Sequence, residues 1–326
     1  MRLKAVSSGA TNPYVFIVGC PRSGTTLLQR IVDAHSHIAV APESHWIPRM
    51  FEKRKGLTPE GLVTPELILQ LEGQADFPAL HISRQDLEGL VGPGEAISYA
   101  DFITRLFDLY GEIRGKTLVG NKTPGFVRRL RTLHALWPNA RFVHLIRDGR
   151  DMYLSTVHRP LKNPKPGVFD TWEQDPVSTA ALWWELNVRL GRQAAGWLGP
   201  ELYYEVRYES LVSDPARECK ALCDFLGLPF DDAMLHFHER QARPRAARPI
   251  TAGLRDWRAE MPPEDVERFE AVASELFDEL NYQRAFPLPS PGIVESVSRA
   301  RVSFSQNPRN RTLVRELAEP ARRLWT

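Results

Sequence analysis

The stretch from Tyr14 to Asp33 constrains this 326-residue chain more than any other. Tyr14-Val15-Phe16-Ile17-Val18 is apolar and rich in β-forming residues, and it ends in Gly19. Cys20-Pro21-Arg22-Ser23-Gly24 makes a tight loop. Thr25-Thr26 then opens a segment with apolar residues at Leu27, Leu28, Ile31 and Val32, which is helical spacing. Strand, glycine-bounded loop and helix N-terminus together cradle a phosphate. The first amides of a helix have no intrahelical partner, and the macrodipole places partial positive charge there. Two glycines let the backbone wrap closely round the anion.

From Gly19 to Thr26 the frame fits G-x-x-x-x-G-K-[ST], except that Thr25 occupies the lysine position. A nucleotide triphosphatase would lack the cation that reaches the β- and γ-phosphates. The cation here is Arg22, inside the loop, which favours a ligand with one 5′-phosphate and a further anionic group. A second anion site is expected at Arg141-Phe142-Val143-His144-Leu145-Ile146-Arg147-Asp148-Gly149-Arg150-Asp151. Phe142 to Ile146 reads as a buried strand, followed by a polar helix start. Arg147 sits at the carboxyl end of that strand, where ligands bind in open α/β sheets. Ser155 lies eight residues on, about two helical turns further. A planar arginine plus a hydroxyl suits a terminal phosphate. Taken alone, the IRDGRD run is also compatible with a surface turn.

PRSGTTLLQRIVDAHS, followed by PESHWIPR, resembles the 5′-phosphosulfate loop of sulfotransferases. These use 3′-phosphoadenosine 5′-phosphosulfate (PAPS) as sulfuryl donor and release adenosine 3′,5′-bisphosphate. The resemblance is to the branch holding protein-tyrosine sulfotransferases and many bacterial relatives. It runs over residues 13 to 285, with a poorly matched middle.

The resemblance implies roles for particular residues. Pro21, Arg22, Ser23, Gly24, Thr25 and Thr26 would hold the 5′-phosphate, and Arg147 with Ser155 the 3′-phosphate. Glu43, 21 residues after Arg22, would be the general base. His45 is an alternative base, since other sulfotransferase branches use histidine. Lys122 in Gly120-Asn121-Lys122-Thr123-Pro124 would stabilise charge near the bridging oxygen. Tyr208 would lie near the adenine, or it is an ordinary core ring. Arg240, Arg243, Arg245 and Arg248 lie in a loop that closes over the nucleotide in the family, and Arg248 is a candidate contact. The catalytic serine of the tyrosine-sulfating branch has no counterpart in that loop. Arg49 matches an arginine that meets acidic peptide in that branch. The chain supplies its own cations, so the reading requires no metal.

The implied reaction is in-line sulfuryl transfer to a hydroxyl of a small molecule, carbohydrate or peptide. The alternatives are a P-loop small-molecule kinase, which would need Mg²⁺ and a triphosphate, and a non-catalytic nucleotide-binding module. Trp46, Phe51, Trp172, Trp183 and Trp184 are candidates to line an acceptor pocket, or, for Trp183-Trp184, to face the core.

With 42 basic and 40 acidic residues the net charge is +2, too balanced to argue for a nucleic-acid partner. Three cysteines, Cys20, Cys219 and Cys223, form neither a disulfide framework nor a metal spacing. No secretory leader or 18-residue apolar run is visible, so a cytoplasmic protein without a membrane span is expected.

Strand candidates fall at 14–19, 38–40, 117–120, 141–146 and 202–206. Helical patterns between them predict an α/β, P-loop-like three-layer fold with a parallel sheet. Residues 1–285 form one domain on this reading. Residues 53–116 form a helical insertion over the ligand edge, with fragments at 65–72, 84–91 and 99–110. Long helices are expected at 177–197 and 263–280. Residues 286–326 form a proline-led arm with a helix at 314–325. The arm packs on the domain or on a second copy, which leaves a homodimer open.

Overall fold

The computed structural model describes residues 11–158, 171–240 and 256–318. Five parallel strands, β1 (Val15–Gly19), β2 (Ile38–Ala41), β3 (Leu118–Lys122), β4 (Arg141–Ile146) and β5 (Tyr203–Arg207), lie in the order β2-β3-β1-β4-β5. β1, β2 and β3 are buried at every position. Apolar runs without alternation suit a sheet covered on both faces. The chain leaves β1 towards β2 on one side and later adds β4 on the other. β1 and β4 thus flank the switch point, where a crevice opens at the strands' carboxyl ends.

The helices follow from local signals. α1 (Thr25–Asp33) continues the glycine loop. α2 (Trp46–Glu52) follows β2. The insertion holds α3 (Glu66–Glu72), α4 (Arg84–Glu88) and α5 (Tyr99–Ile113). Ser83 and Asp86 form a capping box on α4, and the Ser98 hydroxyl accepts from the Asp101 amide on α5. After β3 come a 3₁₀ turn, Pro124–Arg128, and α6 (Leu130–Leu136). α7 (Gly149–Val157) starts on an Asp148 cap. α8 (Pro176–Leu198) starts with Pro176 at its first position and Asp175 accepting from the Ser178 amide. α9 (Tyr208–Ser213) and α10 (Pro215–Leu226) follow β5, with Asp214 capping α10. Gly227 ends α10 at φ 66°.

The predicted 263–280 helix divides. α11 (Trp257–Glu260) is followed by α12 (Pro263–Val272) and α13 (Ser274–Glu279), with Ala273 breaking the run. The arm is more helical than expected. α14 (Pro291–Gln306) and α15 (Pro308–Ala318) both lie against α8, and α14 also lies against α12. Val297 and Phe304 are buried there. Pro291 sits in the first turn of α14 and so starts that helix.

Three apolar clusters fill the fold. One lies under the insertion and α6, a second under α1 and α10, and a third joins α7 and α8 to α12–α15. α8 crosses β4 at a point with no room for a side chain: a Cβ on Gly191 would meet the His144 ring at 2.3 Å. His144 is held by a hydrogen bond from the Tyr203 hydroxyl or to it, 2.6 Å long, and burial pushes its pKa down to about 3.

A buried charge network ties the start of α7 to the third cluster. Arg150 is 1% exposed. Its Nε and Nη2 donate to Asp148 at 3.0 and 2.6 Å, and its Nη1 donates to Glu270 of α12 and to the Gln283 carbonyl. Glu270 also accepts the Ala285 and Phe286 amides at 3.0 and 2.7 Å. Trp257 stacks on the guanidinium at 3.5 Å. Removing one member leaves uncompensated buried charge, which costs about 3–5 kcal/mol. Arg150→Ala is therefore expected to lower the unfolding free energy by that order in urea titrations. Arg299→Ala, at an exposed pair with Glu295, should leave the midpoint in place.

Candidate active site

The site gathers at the carboxyl ends of β1, β3, β4 and β2, and strand register puts its parts at one level. Gly19 pairs with Leu145, so the loop after β1 meets Arg147 after β4. Ile17 pairs with Lys122, and Ala41 with Asn121, so Glu43 emerges beside Lys122.

The loop has the curvature its glycines allow. Gly24 caps α1 at φ 99°, and Arg22 itself adopts φ 75°. α1 has no side-chain cap, which leaves its first turn to a ligand. Ser23 is fully buried, and its hydroxyl has no hydrogen-bond partner among the described residues. Thr25 is buried, while Thr26 is exposed at the rim.

The second anion group lies directly against the first. Arg22 Nη2 donates to Ser155 Oγ at 3.0 Å. The Arg147 guanidinium stacks on the Tyr208 ring at 4.3 Å, and that ring fills the place of a Gly24 Cβ, which would meet it at 2.5 Å. Tyr208 is thus a wedge between the glycine turn and Arg147. Arg147 is 6% exposed, its Nη2 lies 3.6 Å from Asp151 Oδ2, and its Nε has no hydrogen-bond partner among the described residues. Buried donors without partners are costly. Ser23 Oγ, next to Gly24, and Arg147 Nε, beside Tyr208, are two such donors.

The third group is a chain of charges. Lys122, only 5% exposed in its side chain, donates from Nζ to Glu43 Oε1 at 2.5 Å and lies 3.4 Å from Thr26 Oγ1. Glu43 is fixed from both sides. The Asn121 amide donates to the Pro42 carbonyl at 2.9 Å, and the Ser44 amide donates to Thr123 Oγ1 at 2.9 Å. His45 lies beyond Glu43, with Nε2 3.6 Å from Glu43 Oε2 and Nδ1 3.0 Å from Asp76 Oδ2.

Pro21, Arg22, Ser23, Gly24, Thr25, Thr26, Glu43, His45, Lys122, Arg147, Ser155 and Tyr208 therefore share one rim, directly or through one intervening side chain. Arg248 and the other three loop arginines from Arg240 onward are not placed, because residues 241–255 and the Arg240 side chain lie outside the description. The aromatic pocket expectation needs correction. Trp46 is a 1% exposed core ring, and Trp183 and Trp184, at 6% and 0%, face the core as the second reading of that pair expects. Trp46 packs on Phe77, and Trp184 donates to the Arg147 carbonyl at 2.9 Å. Arg49 donates to Gln74 at 2.6 Å. The IRDGRD run is a buried helix start, not a surface turn.

Two groups near the site escaped sequence reasoning. Asp76 comes from the weakly patterned insertion. Arg128, one turn after Lys122, stacks on Trp183 at 4.6 Å and donates to Asn187 at 2.7 Å. Only its closeness to Lys122 in the chain hinted at it. Cys20 is a buried thiol that burial pushes up to about 12, which suits a filler and not a nucleophile.

Asp151 carries a titration signature. Burial lifts its carboxyl to about 6, against the lowering pull of Arg147, and Asp148 and Glu209 add to the rise. The native state then holds a proton that the unfolded chain releases between the ordinary value, 3.8, and about 6. That contribution to stability is full at low pH and is lost as pH rises through this window. Asp151→Asn is expected to flatten the pH dependence of unfolding free energy between about pH 4 and pH 7, as read by urea titrations along a pH series.

Known proteins resemble this chain. The family model described as "Sulfotransferase family" matches residues 13–232. Protein-tyrosine sulfotransferase A of Caenorhabditis elegans is 27% identical over 230 residues, which are 71% of this chain and 53% of that protein. The chain spans about half the length of the curated relatives it matches. Among solved structures, the sulfotransferase domain from the Synechococcus PCC 7002 olefin synthase aligns with TM-score 0.56 and 22% identity, over 87% of this chain and 99% of that domain. The sulfotransferase domain from the curacin biosynthetic pathway aligns with TM-score 0.51 and 21% identity, over 89% and 97% of the two chains. The two domains share the fold.

Proposed function

The chain belongs to the sulfotransferase family, and on that premise we propose that it transfers a sulfuryl group from PAPS to a hydroxyl of an acceptor. The carrying observation is the contact between the two anion groups: Arg22 reaches Ser155 at 3.0 Å, and Tyr208 bridges Gly24 to Arg147. A single ligand with a 5′ and a 3′ anion fits such a pair better than a triphosphate. The position of a Walker lysine is a threonine, Thr25.

PAPS, when bound, supplies the activated sulfuryl group. The α1 amides, Ser23, Thr25 and Thr26 hold the 5′-phosphate end. Arg147 and Ser155 hold the 3′-phosphate. Lys122 and Arg22 stabilise negative charge as it develops at the departing oxygen. Glu43 takes the proton from the acceptor hydroxyl. Lys122 sits on Glu43 Oε1, which leaves Oε2 for that proton. The acceptor class is a hydroxyl compound: small molecule, carbohydrate or peptide. All three cysteines are buried free thiols, which suits the reducing cytoplasm proposed for this chain.

Calorimetry tests this. Adenosine 3′,5′-bisphosphate is expected to bind, and ATP with Mg²⁺ is not; the reverse order would replace the proposal with the kinase reading. Arg147→Ala should weaken bisphosphate binding by about 10- to 100-fold, the worth of charge-assisted hydrogen bonds. Glu43→Gln should leave that binding intact and slow turnover by roughly 10²–10⁴.

A further inference from the structure

Resting on the sulfotransferase reading, we propose that His45 and Asp76 form a relay that carries the acceptor's proton from Glu43 to solvent. Three distances set out the path. Glu43 Oε1 is engaged by Lys122 at 2.5 Å, which leaves Oε2 as the oxygen facing His45. Asp76 Oδ2 lies 3.0 Å from His45 Nδ1. A carboxylate there accepts the Nδ1 proton and fixes the tautomer, so Nε2 presents its lone pair to Glu43. The Glu43–His45 gap is 3.6 Å, one side-chain adjustment from a hydrogen bond.

The placement is supported on both sides. Asp76 immediately precedes the 3₁₀ turn Phe77–Leu80, and Phe77 packs on Trp46, the residue after His45, at 5.9 Å between ring centres. Gln74 of the same segment accepts from Arg49, one helical turn beyond His45. The insertion is thus anchored to α2 at two points that flank the dyad. Glu43, His45 and Asp76 are 40%, 48% and 42% exposed in their side chains, while Lys122 is 5% exposed. An acceptor seated on Glu43 would cover its open face and leave the His45–Asp76 side as the way to water.

The balance is simple. The acceptor oxygen forms a bond to sulfur as the bond from sulfur to the phosphate oxygen breaks. Its proton goes to Glu43, then to His45 Nε2, giving an imidazolium paired with Asp76. His45 then loses a proton to water, and one proton is released per transfer. Glu43 remains the group that touches substrate; His45 and Asp76 act through it and are positioning residues. The charged groups around His45 are Glu43, Asp76 and, through Glu43, Lys122.

The test uses hydrolysis of PAPS by the full chain, in which water replaces the unidentified acceptor. His45→Ala is expected to slow it by about 10- to 100-fold with unchanged affinity for adenosine 3′,5′-bisphosphate. Imidazole at tens of millimolar is expected to restore the rate. In a Glu43→Gln background, His45→Ala should cost nothing more, because residues acting as one unit are not additive. An equal cost in both backgrounds, or a His45→Ala rate matching the parent, overturns the relay. A second readout needs no turnover. Nitrogen NMR of the histidines at pH 8 should find His45 as the Nδ1–H tautomer in the parent and a mixture in Asp76→Asn; the same tautomer in both overturns the proposal. If the parent chain does not bind adenosine 3′,5′-bisphosphate, the sulfotransferase reading itself fails, which calorimetry separates from a failed relay.

Discussion

The buried Arg150 guanidinium is the constraint on which the ligand rim depends. It grips Asp148 on one side and Glu270 on the other, under the Trp257 ring. Asp148 is the cap of α7, so the network sets where that helix begins and which way its first residues face. Arg147 precedes the cap and Ser155 lies two turns in. Both reach the glycine loop only because the helix start is held in place. A charge this deep is tolerated because every donor of the fork has an acceptor or a ring against it. The network also explains why α12, far from the site in sequence, belongs to its support.

Register does the remaining positioning. A parallel strand that slipped by one residue would turn its side chains to the other face. Glu43, Lys122 and Arg147 would then no longer share an edge. The polar pins around Glu43, from Asn121, Thr123 and Ser44, add a second lock to the β2–β3 edge. They are buried and mutually satisfied, which favours one arrangement of the segment.

Much of this was legible from residues alone, for reasons of local physics. The β1 loop is spelled out by glycines, a strand run and helical spacing within twenty residues, so its form could be read. The five strands lie within two residues of where apolar runs placed them. A capping pair marked α10, because Asp214 followed by Pro215 suits only a few backbone settings. The break at Ala273 was not legible, since nothing in the apolar spacing interrupts there. Nor was the placing of Asp76 beside His45: it lies on a segment whose course is set by Trp46 meeting Phe77, a contact between distant parts of the chain. That Trp184 faces the core was open to sequence reading, but its hydrogen bond to the Arg147 carbonyl depends on how α8 crosses the sheet, which spacing along one helix does not specify.

The Tyr208 ring occupies the volume a side chain at position 24 would need, and its other face carries Arg147. A side chain at position 24 would meet both that ring and a backbone held at φ 99°, so trimming residue 208 alone would not admit one, yet it would take away the platform under the arginine.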